Sequence, residues 1–193
     1  ELFTYLMSPH LNSVHPSVLV AGYSTAVKLV SYNESVTLYY YCKVGGYIVS
    51  VERTTSGDYC NLPSNLAVGV LQLDILALDY AVLNSFSLSV VKAPRILAVI
   101  PSVLSQLGGP ITLSGYGFLH SLKMHCLVGG KAVQSTLLST SRLRCLLPSV
   151  EPGQLSVDIY LEDQKIIIPA LTEGVTVLVP PRVIDVSPKI VSA

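Results

Sequence analysis

Residues 126–149 read CLVGGKAVQSTLLSTSRLRCLLPS, and residues 42–64 read CKVGGYIVSVERTTSGDYCNLPS. In both stretches a cysteine is followed by x-V-G-G-x-x-V, a polar stretch, and a second cysteine that leads into x-L-P-S. Cys60 precedes Cys145 by 85 positions, and Asp74 precedes Asp158 by 84 (145 − 60 and 158 − 74). Such nearly constant offsets argue against a chance match, so the sequence indicates a repeated structural unit.

The repeat can be extended upstream of these anchors. Residues 18–23 parallel residues 111–116, because both are alternating stretches that end on Gly-Tyr. Further upstream, residues 3–9 (FTYLMSP) parallel residues 96–101 (ILAVIP). We therefore predict a first unit at residues 1–93, a second at 94–180, and the truncated first strand of a further repeat at 181–193.

This alignment predicts one large difference between the units. Gly22 lies 20 positions before Cys42, whereas Gly115 lies 11 positions before Cys126 (42 − 22 and 126 − 115). The first unit would then carry a nine-residue insertion, which we place between Ser24 and Thr37 (residues 24–37).

The composition excludes several classes of partner. The chain of 193 residues has 12 basic and 12 acidic residues, so its net charge gives no electrostatic footprint for nucleic acid. No apolar run approaches the roughly 18 residues of a membrane-spanning helix, and we expect no membrane insertion of this fragment. Because the chain opens without a signal peptide and ends inside a repeat, we expect a piece of a longer, membrane-anchored protein whose signal and anchor lie outside it.

Short β-branched and aromatic stretches dominate the sequence, among them TLYYYCKV, LQLDILAL and LSVDIYL. Most alternate with a period of two, and clusters of Gly, Pro, Ser and Asn separate them. Residues 66–83 also fit a helical period in places, but their counterpart around Val157 alternates more clearly. An all-β sandwich is therefore the predicted fold of each unit.

The four cysteines allow three pairings. Pairing within each unit, Cys42 with Cys60 and Cys126 with Cys145, is favoured because the spacing repeats. Free buried thiols and a zinc site are the alternatives, but zinc ligands usually come in closely spaced Cys or His groups, which this chain lacks. Disulfides would indicate an oxidising compartment and hence an extracellular location.

One glycosylation sequon, Asn33-Glu34-Ser35, agrees with that location and falls in the predicted insertion. Because the insertion is where the units differ, it is the candidate partner-binding segment. Its candidate contact residues are the tyrosine and asparagine of Ser31-Tyr32-Asn33.

The second unit resembles an IPT/TIG domain in four runs: PRILAVIP at 94–101, GGPITLSGYGF at 108–118, CLVGG at 126–130 and LRCLLP at 143–148. The first unit departs from the pattern, since it lacks the Gly-Gly turn and has Gly22-Tyr23-Ser24 in place of G-x-G-F. The resemblance implies two tandem immunoglobulin-like β-sandwiches (IPT/TIG type) arranged end to end, with prolines at the junctions that leave a semi-rigid rod.

No pattern of residues predicts catalysis, a cofactor or a metal site. Asp74 and Asp158 are equivalent carboxylates, one in each unit, and cannot form an acid/base pair. Gly129-Gly130-Lys131 lacks the spacing of a phosphate-binding loop and is expected to be a tight turn. His125 beside Cys126 is more typical of a surface histidine than of a catalytic base.

The function predicted on this resemblance is non-enzymatic recognition or adhesion within the ectodomain of a larger cell-surface protein, with a protein partner on another cell or the same membrane. Two alternatives stay open. One is a Rel-like intracellular TIG domain for dimerisation and DNA contact, which the zero net charge and paired cysteines oppose. The other is an accessory domain of a secreted carbohydrate-active enzyme, although the chain has no tryptophan for stacking on sugars.

Overall fold

The structure is a computed structural model that describes residues 11–31, 41–170, 174–182 and 184–185. The first group of strands, which we call unit one, is β1 (Leu11–His15), β2 (Val18–Val20), β3 (Thr25–Ser31), β4 (Tyr41–Val44), β5 (Tyr47–Thr54), β6 (Gly57–Leu62), β7 (Gly69–Leu76) and β8 (Val82–Val91). The second group, unit two, is β9 (Arg95–Ile100), β10 (Val103–Ser105), β11 (Gly109–Tyr116), β12 (Met124–Val128), β13 (Lys131–Ser139), β14 (Arg142–Leu147), β15 (Gly153–Leu155), β16 (Val157–Leu161), β17 (Ile166–Pro169) and β18 (Val175–Leu178). A 3₁₀ helix at His120–Leu122 precedes β12.

Unit one is a single curled sheet in the order β1-β3-β6-β5-β4-β7-β8-β2. The long strand β5 joins its two layers, because it pairs with β4 near its start and with β6 near its end. Fully buried side chains, among them Val27, Leu73, Ile75 and Leu88, fill the space between the layers. The predicted strand character of residues 66–83 is confirmed, since β7 and β8 form an antiparallel hairpin.

Unit two has a similar strand arrangement, but its strands form two sheets instead of one. A seven-stranded sheet has the order β17-β16-β12-β13-β14-β11-β9, and a three-stranded sheet has the order β10-β18-β15. Strand β13 joins β12 to β14 as β5 joins β4 to β6. The core holds Phe118, Ile111, Leu113 and Ile159, which are fully buried. The all-β, immunoglobulin-like fold expected from the sequence is confirmed.

Strand pairing shows which segments of the two units are equivalent. Strand β3 lies between β6 and β1, and β11 lies between β14 and β9. Strand β2 runs parallel to β8, as β10 runs parallel to β18. Strand β1 therefore corresponds to β9, β2 to β10, and β3 to β11.

Two expectations from the sequence alignment are wrong: the match of residues 18–23 with residues 111–116, and the insertion at residues 24–37 that was deduced from it. Residues 18–23 do not correspond to residues 111–116, since they contain β2 and the turn that follows it. The Gly-Tyr pairs at Gly22 and Gly115 thus occupy different places, although they look alike in sequence. The match of residues 3–9 lies outside the described residues, but β1 already occupies the position of the first strand.

Once β3 is aligned with β11, the alignment no longer requires the nine-residue insertion at residues 24–37. Val27 pairs with Cys60, and Ile111 pairs with Cys145. Both precede the first cysteine of their unit by 15 positions (42 − 27 and 126 − 111). Residues 25–31 are a framework strand common to both units, and the predicted functional loop does not begin at Ser24.

The repeated Gly-Gly pairs form hairpin turns. Gly129 and Gly130 have φ angles of +55° and +77° between β12 and β13. Two consecutive residues with positive φ are the requirement of a type I′ turn, which glycine meets without steric cost. The interpretation of Gly129-Gly130-Lys131 as a turn, and not as a phosphate-binding loop, agrees with this geometry.

Candidate interaction surfaces

Each unit contains one buried disulfide at the same place in its fold. Cys42 is bonded to Cys60 and Cys126 to Cys145, with Cα–Cα distances of 6.1 and 6.0 Å. Each bond links the two strands that flank the joining strand, β5 or β13. All four cysteines are fully buried, so the bonds lie within the cores and fix the curl of each sheet.

The turn at residues 162–165, between β16 and β17, contacts unit one through Gln164. The amide nitrogen of Val20 donates to Gln164 Oε1 at 3.0 Å, and Thr25 Oγ1 donates to the same oxygen at 3.4 Å. In return, Gln164 Nε2 donates to the carbonyl oxygen of Val18 at 3.2 Å. One side chain thus satisfies two backbone groups at the edge of β2, and we call this contact the joint.

Asp163 adds charge to the joint. Its Oδ1 atom lies 3.2 Å from His15 Nε2 in unit one and 2.9 Å from Lys123 Nζ in unit two. The Asp163 side chain is only 12% exposed. Burial by itself would raise the pKa of Asp163, but hydrogen bonds from Lys123 and His15 outweigh burial and hold this pKa below its ordinary value. The same hydrogen bond raises the pKa of Lys123.

Apolar side chains complete the joint. Val20 on β2 is 1% exposed and belongs to the hydrophobic core of unit two, not to that of unit one. Val18, Tyr23 and Val91 of unit one also pack against that core. The two units therefore share apolar packing as well as hydrogen bonds.

A second surface is the outer face of the sheet β13-β14-β11-β9 in unit two, which we call the arginine face. Arg142, Arg144 and Leu146 point outward along β14, and Arg144 pairs with Thr112 on one side and Thr136 on the other. These four strands contain no Asp or Glu. Within the described residues, neither arginine takes part in an ion pair or side-chain hydrogen bond.

The arginine face also carries exposed apolar side chains. Leu138 and Leu146 lie beside Arg144, and Leu97 lies farther across the sheet on β9. A depression of about 170 Å³ is lined by Gln134, Thr136, Leu138, Arg144 and Leu146. The outer face of unit one is different, because Asn61 at the position of Leu146 donates a hydrogen bond to Glu52.

The remaining candidate residues lie apart from one another. Asp74 accepts hydrogen bonds from Gln72 and Ser85, both at 2.7 Å, and Asp158 accepts one from the amide of Ala170. His125 Nε2 lies 2.9 Å from Glu162 Oε2 on the surface. The hydroxyl of Ser135 donates to the carbonyl oxygen of Met124.

Tyr32 and Asn33, the candidate contact residues of the predicted insertion, lie outside the described residues. Ser31 is the last residue of β3. The described residues contain no group of three or more His, Cys, Asp or Glu side chains placed to hold a metal ion. They also contain no helix that is long and apolar enough to cross a membrane.

The sequence alone predicted neither the joint nor the arginine face. Gln164 is 144 positions from Val20, and no periodic pattern links such distant residues. The arginine face had a weak signal, since R-L-R-C-L-L alternates charged and apolar residues along one strand and lacks acidic neighbours. The arginines can be recognised as part of one surface only once the pairing of β14 with β11 and β13 is known.

The chain is similar to a human protein and to solved receptor structures. It is 37% identical over 82 residues to Fibrocystin-L of Homo sapiens, an overlap of 41% of this chain and 2% of that protein. The full extracellular region of Plexin A4 (domains 1 to 10) matches with a TM-score of 0.62 at 13% identity, over 93% of this chain and 16% of that one. A second structure of the Plexin A4 extracellular region gives a TM-score of 0.54 over 86% of this chain and 18% of that one.

The structural likeness to Plexin A4 supports the fold of both units. The chain spans only a small fraction of each of these relatives. The model of the IPT/TIG domain family matches residues 94–172, which contain the turn at 162–165, the buried Cys126–Cys145 bond and the arginine face. Residues 94–172 of unit two are thus similar to the IPT/TIG domain family.

Proposed function

We propose that the chain is a non-enzymatic recognition module from the extracellular part of a cell-surface receptor or adhesin. The two buried disulfides support an oxidising, extracellular location, since such bonds are rare in the cytosol. The likeness to the extracellular region of Plexin A4 agrees with that location. We propose domain boundaries between residues 93 and 94 and between residues 180 and 181. Glycosylation of Asn33 and a partner contact by Tyr32 stay predictions.

The arginine face is the structural feature that best supports a recognition function. Arginine is enriched at protein interfaces, whose buried centres are more apolar than their rims, and the exposed leucines beside Arg144 add apolar surface of that kind. Arg142 and Arg144 have no acidic neighbour on their four strands, so their charges are available to a partner. We propose that the partner is a protein that presents carboxylates to this face.

Cell binding tests this function with a matched pair of variants. The chain is multimerised on a fluorescent carrier and applied to a panel of animal cell lines. We expect binding that protease treatment of the cells removes, and that Arg144→Glu reduces at least tenfold. Lys43→Glu makes the same charge change at an exposed site of unit one and should bind as wild type.

Three outcomes would contradict the recognition function. The first is binding that Arg144→Glu leaves unchanged, and the second is no binding at all. The third is binding that heparinase removes and protease does not, because the arginines would then recognise an anionic glycan. The location is tested separately by mass spectrometry of the natively folded chain after alkylation: four modified thiols would overturn the extracellular proposal.

A further inference from the structure

The outward side chains of β14 follow a fixed order along the strand. Arg142, Arg144 and Leu146 are exposed, and the residues between them are buried. Alternate residues of a strand point to the same side and lie about 6.5 Å apart along it. The middle of the arginine face is therefore a line of two positive charges and one apolar group at equal steps, which we call the β14 line.

The strands on either side of β14 add hydroxyl groups to this line. Thr112 on β11 and Thr136 on β13 both pair with Arg144. Paired residues of antiparallel strands point to the same face, with Cβ atoms about 5 Å apart. Among the described residues, neither threonine hydroxyl takes part in a hydrogen bond. A carboxylate that binds Arg144 therefore has hydroxyl donors on both sides of it.

The β14 line ends at the depression beside Leu146. Leu146 and Leu138, which both line this depression, are about half exposed. The depression measures about 170 Å³, well below the roughly 300 Å³ at which pockets for small molecules begin. It therefore suits one apolar side chain of a protein partner better than a separate small molecule.

The equivalent face of unit one has a different pattern. Tyr59 takes the place of Arg144, since each directly precedes the second cysteine of its unit. Tyr59 pairs with Lys28 on one side and with Glu52 on the other, so this face carries both signs of charge. Asn61, in the place of Leu146, donates a hydrogen bond to Glu52. The line of like charges with an apolar end is thus a feature of unit two and not of the shared framework.

We propose that the protein partner places an extended segment along the β14 line, with acidic, acidic and apolar side chains at alternate positions. This inference rests on the proposed function and names the part of the partner that the arginine face recognises. Alternate side chains of an extended segment repeat at the same step of about 6.5 Å as those of β14. Two carboxylates of the segment thus bind Arg142 and Arg144, and its apolar side chain enters the depression beside Leu146.

A helical segment fits the β14 line less well. A helix with its side chains is about 10 Å wide, whereas neighbouring strands are about 4.8 Å apart, so a helix also covers Thr112 and Thr136. Burying their hydroxyls without partners costs free energy, but a narrow extended segment leaves them at its sides, beside the carboxylates. A helix also needs its acids three or four residues apart. The spacing of the acids therefore distinguishes the two kinds of segment.

Titration of the intact chain with synthetic peptides tests this spacing, with backbone amide NMR signals as the readout. The peptide GESESLG has the proposed pattern, and GLSESEG has it in the opposite chain direction. GEESSLG has the same composition, but its adjacent acids point to opposite sides of an extended chain. We expect one patterned peptide to shift the signals of β13 and β14 at millimolar concentration. It should bind at least about threefold more tightly than GEESSLG, because it forms one more ion pair.

Variants of the chain assign each contact. Replacing the leucine of GESESLG with serine should weaken binding to wild type but not to Leu146→Ser. Replacing its second glutamate with serine should weaken binding to wild type but not to Arg144→Gln. The same replacements apply to GLSESEG, in which the glutamate beside the leucine is the first. Lys43→Gln removes an exposed positive charge from unit one and should bind every peptide as wild type does. All the substituted side chains are exposed, and circular dichroism shows whether each variant keeps the fold.

The inference would be overturned if neither patterned peptide shifted these signals at millimolar concentration, or if GEESSLG bound as tightly as both. It would also be overturned if GESSLEG, whose acids have the spacing of a helix, bound more tightly than either. None of these results changes whether cell binding depends on Arg144. Cell binding that Arg144→Glu leaves unchanged contradicts the recognition function itself, so the two failures are separate.

Discussion

At the scale of single residues, Gln164 connects the two units with one amide group. It accepts from Val20 and Thr25 and donates to Val18, so its loss leaves polar backbone groups without partners. A buried group left unsatisfied costs about 1–3 kcal/mol. Both backbone groups belong to unit one, whereas the side chain that satisfies them belongs to unit two.

Gln164→Ala should therefore speed hydrogen exchange of the Val20 amide. We expect an increase of about tenfold or more, which corresponds to roughly 1.4 kcal/mol. Gln154→Ala is the matched control, since Gln154 is exposed and its side-chain oxygen accepts a hydrogen bond from Thr176 within unit two. Equal exchange of Val20 in both variants would show that the Gln164 bonds do not hold the joint.

Asp163 makes the joint sensitive to acid. The pKa of this carboxyl is lowered in the folded chain. The stability that ionised Asp163 adds to the joint is therefore present above the ordinary pKa of 3.8 and is lost as the pH falls below that value. The amide signals of Val20 and Lys123 should accordingly shift together in a titration from about pH 6 to about pH 2.5. The isosteric variant Asp163→Asn should abolish this shared transition; its persistence would assign the transition to another carboxyl group.

At the scale of elements, β3 is part of the framework of unit one. Val27 is fully buried, pairs with Cys60, and corresponds to Ile111 in unit two. A residue with these contacts belongs to the core, not to a variable loop. The equal spacing from Val27 and Ile111 to the cysteines shows that both units use the same connection length.

Val27→Ala should therefore destabilise unit one by about 2–3 kcal/mol, because it removes buried methyl groups and leaves a cavity. Val70→Ala removes the same atoms from an exposed site on β7 and should cost less than about 0.5 kcal/mol. Urea denaturation measures both. Similar small decreases in the free energy of unfolding for the two variants would indicate that residues 25–31 belong to an insertion and not to the framework.

Strands and turns were largely predictable because their signals are local. Alternation with a period of two identified β7 and β16, and the Gly-Gly pairs marked the turns after β4 and β12. The equivalence of the first strands was not predictable, since the Gly-Tyr pairs at Gly22 and Gly115 gave a convincing but false match. Only the ladder of β3 with β6, which joins Val27 to Cys60, decides the alignment.

At the scale of the whole molecule, the two units are coupled by packing. Val20 belongs to the chain of unit one but is buried in the core of unit two. Hydrogen bonds from Gln164 and the ion pairs of Asp163 surround it. Prolines at a junction suggested a semi-rigid rod from the sequence, but they do not specify which surfaces meet. Contacts between residues more than 100 positions apart determine that.

We expect this joint to hold the two units as one body in solution. Backbone ¹⁵N relaxation measures it directly, because it gives a rotational correlation time for each unit separately. Wild type should give the same correlation time for unit one and unit two, and a double variant of Asp163→Asn and Gln164→Ala should give shorter and unequal values. Unequal correlation times in the wild-type chain would contradict the joint, whatever the variants showed.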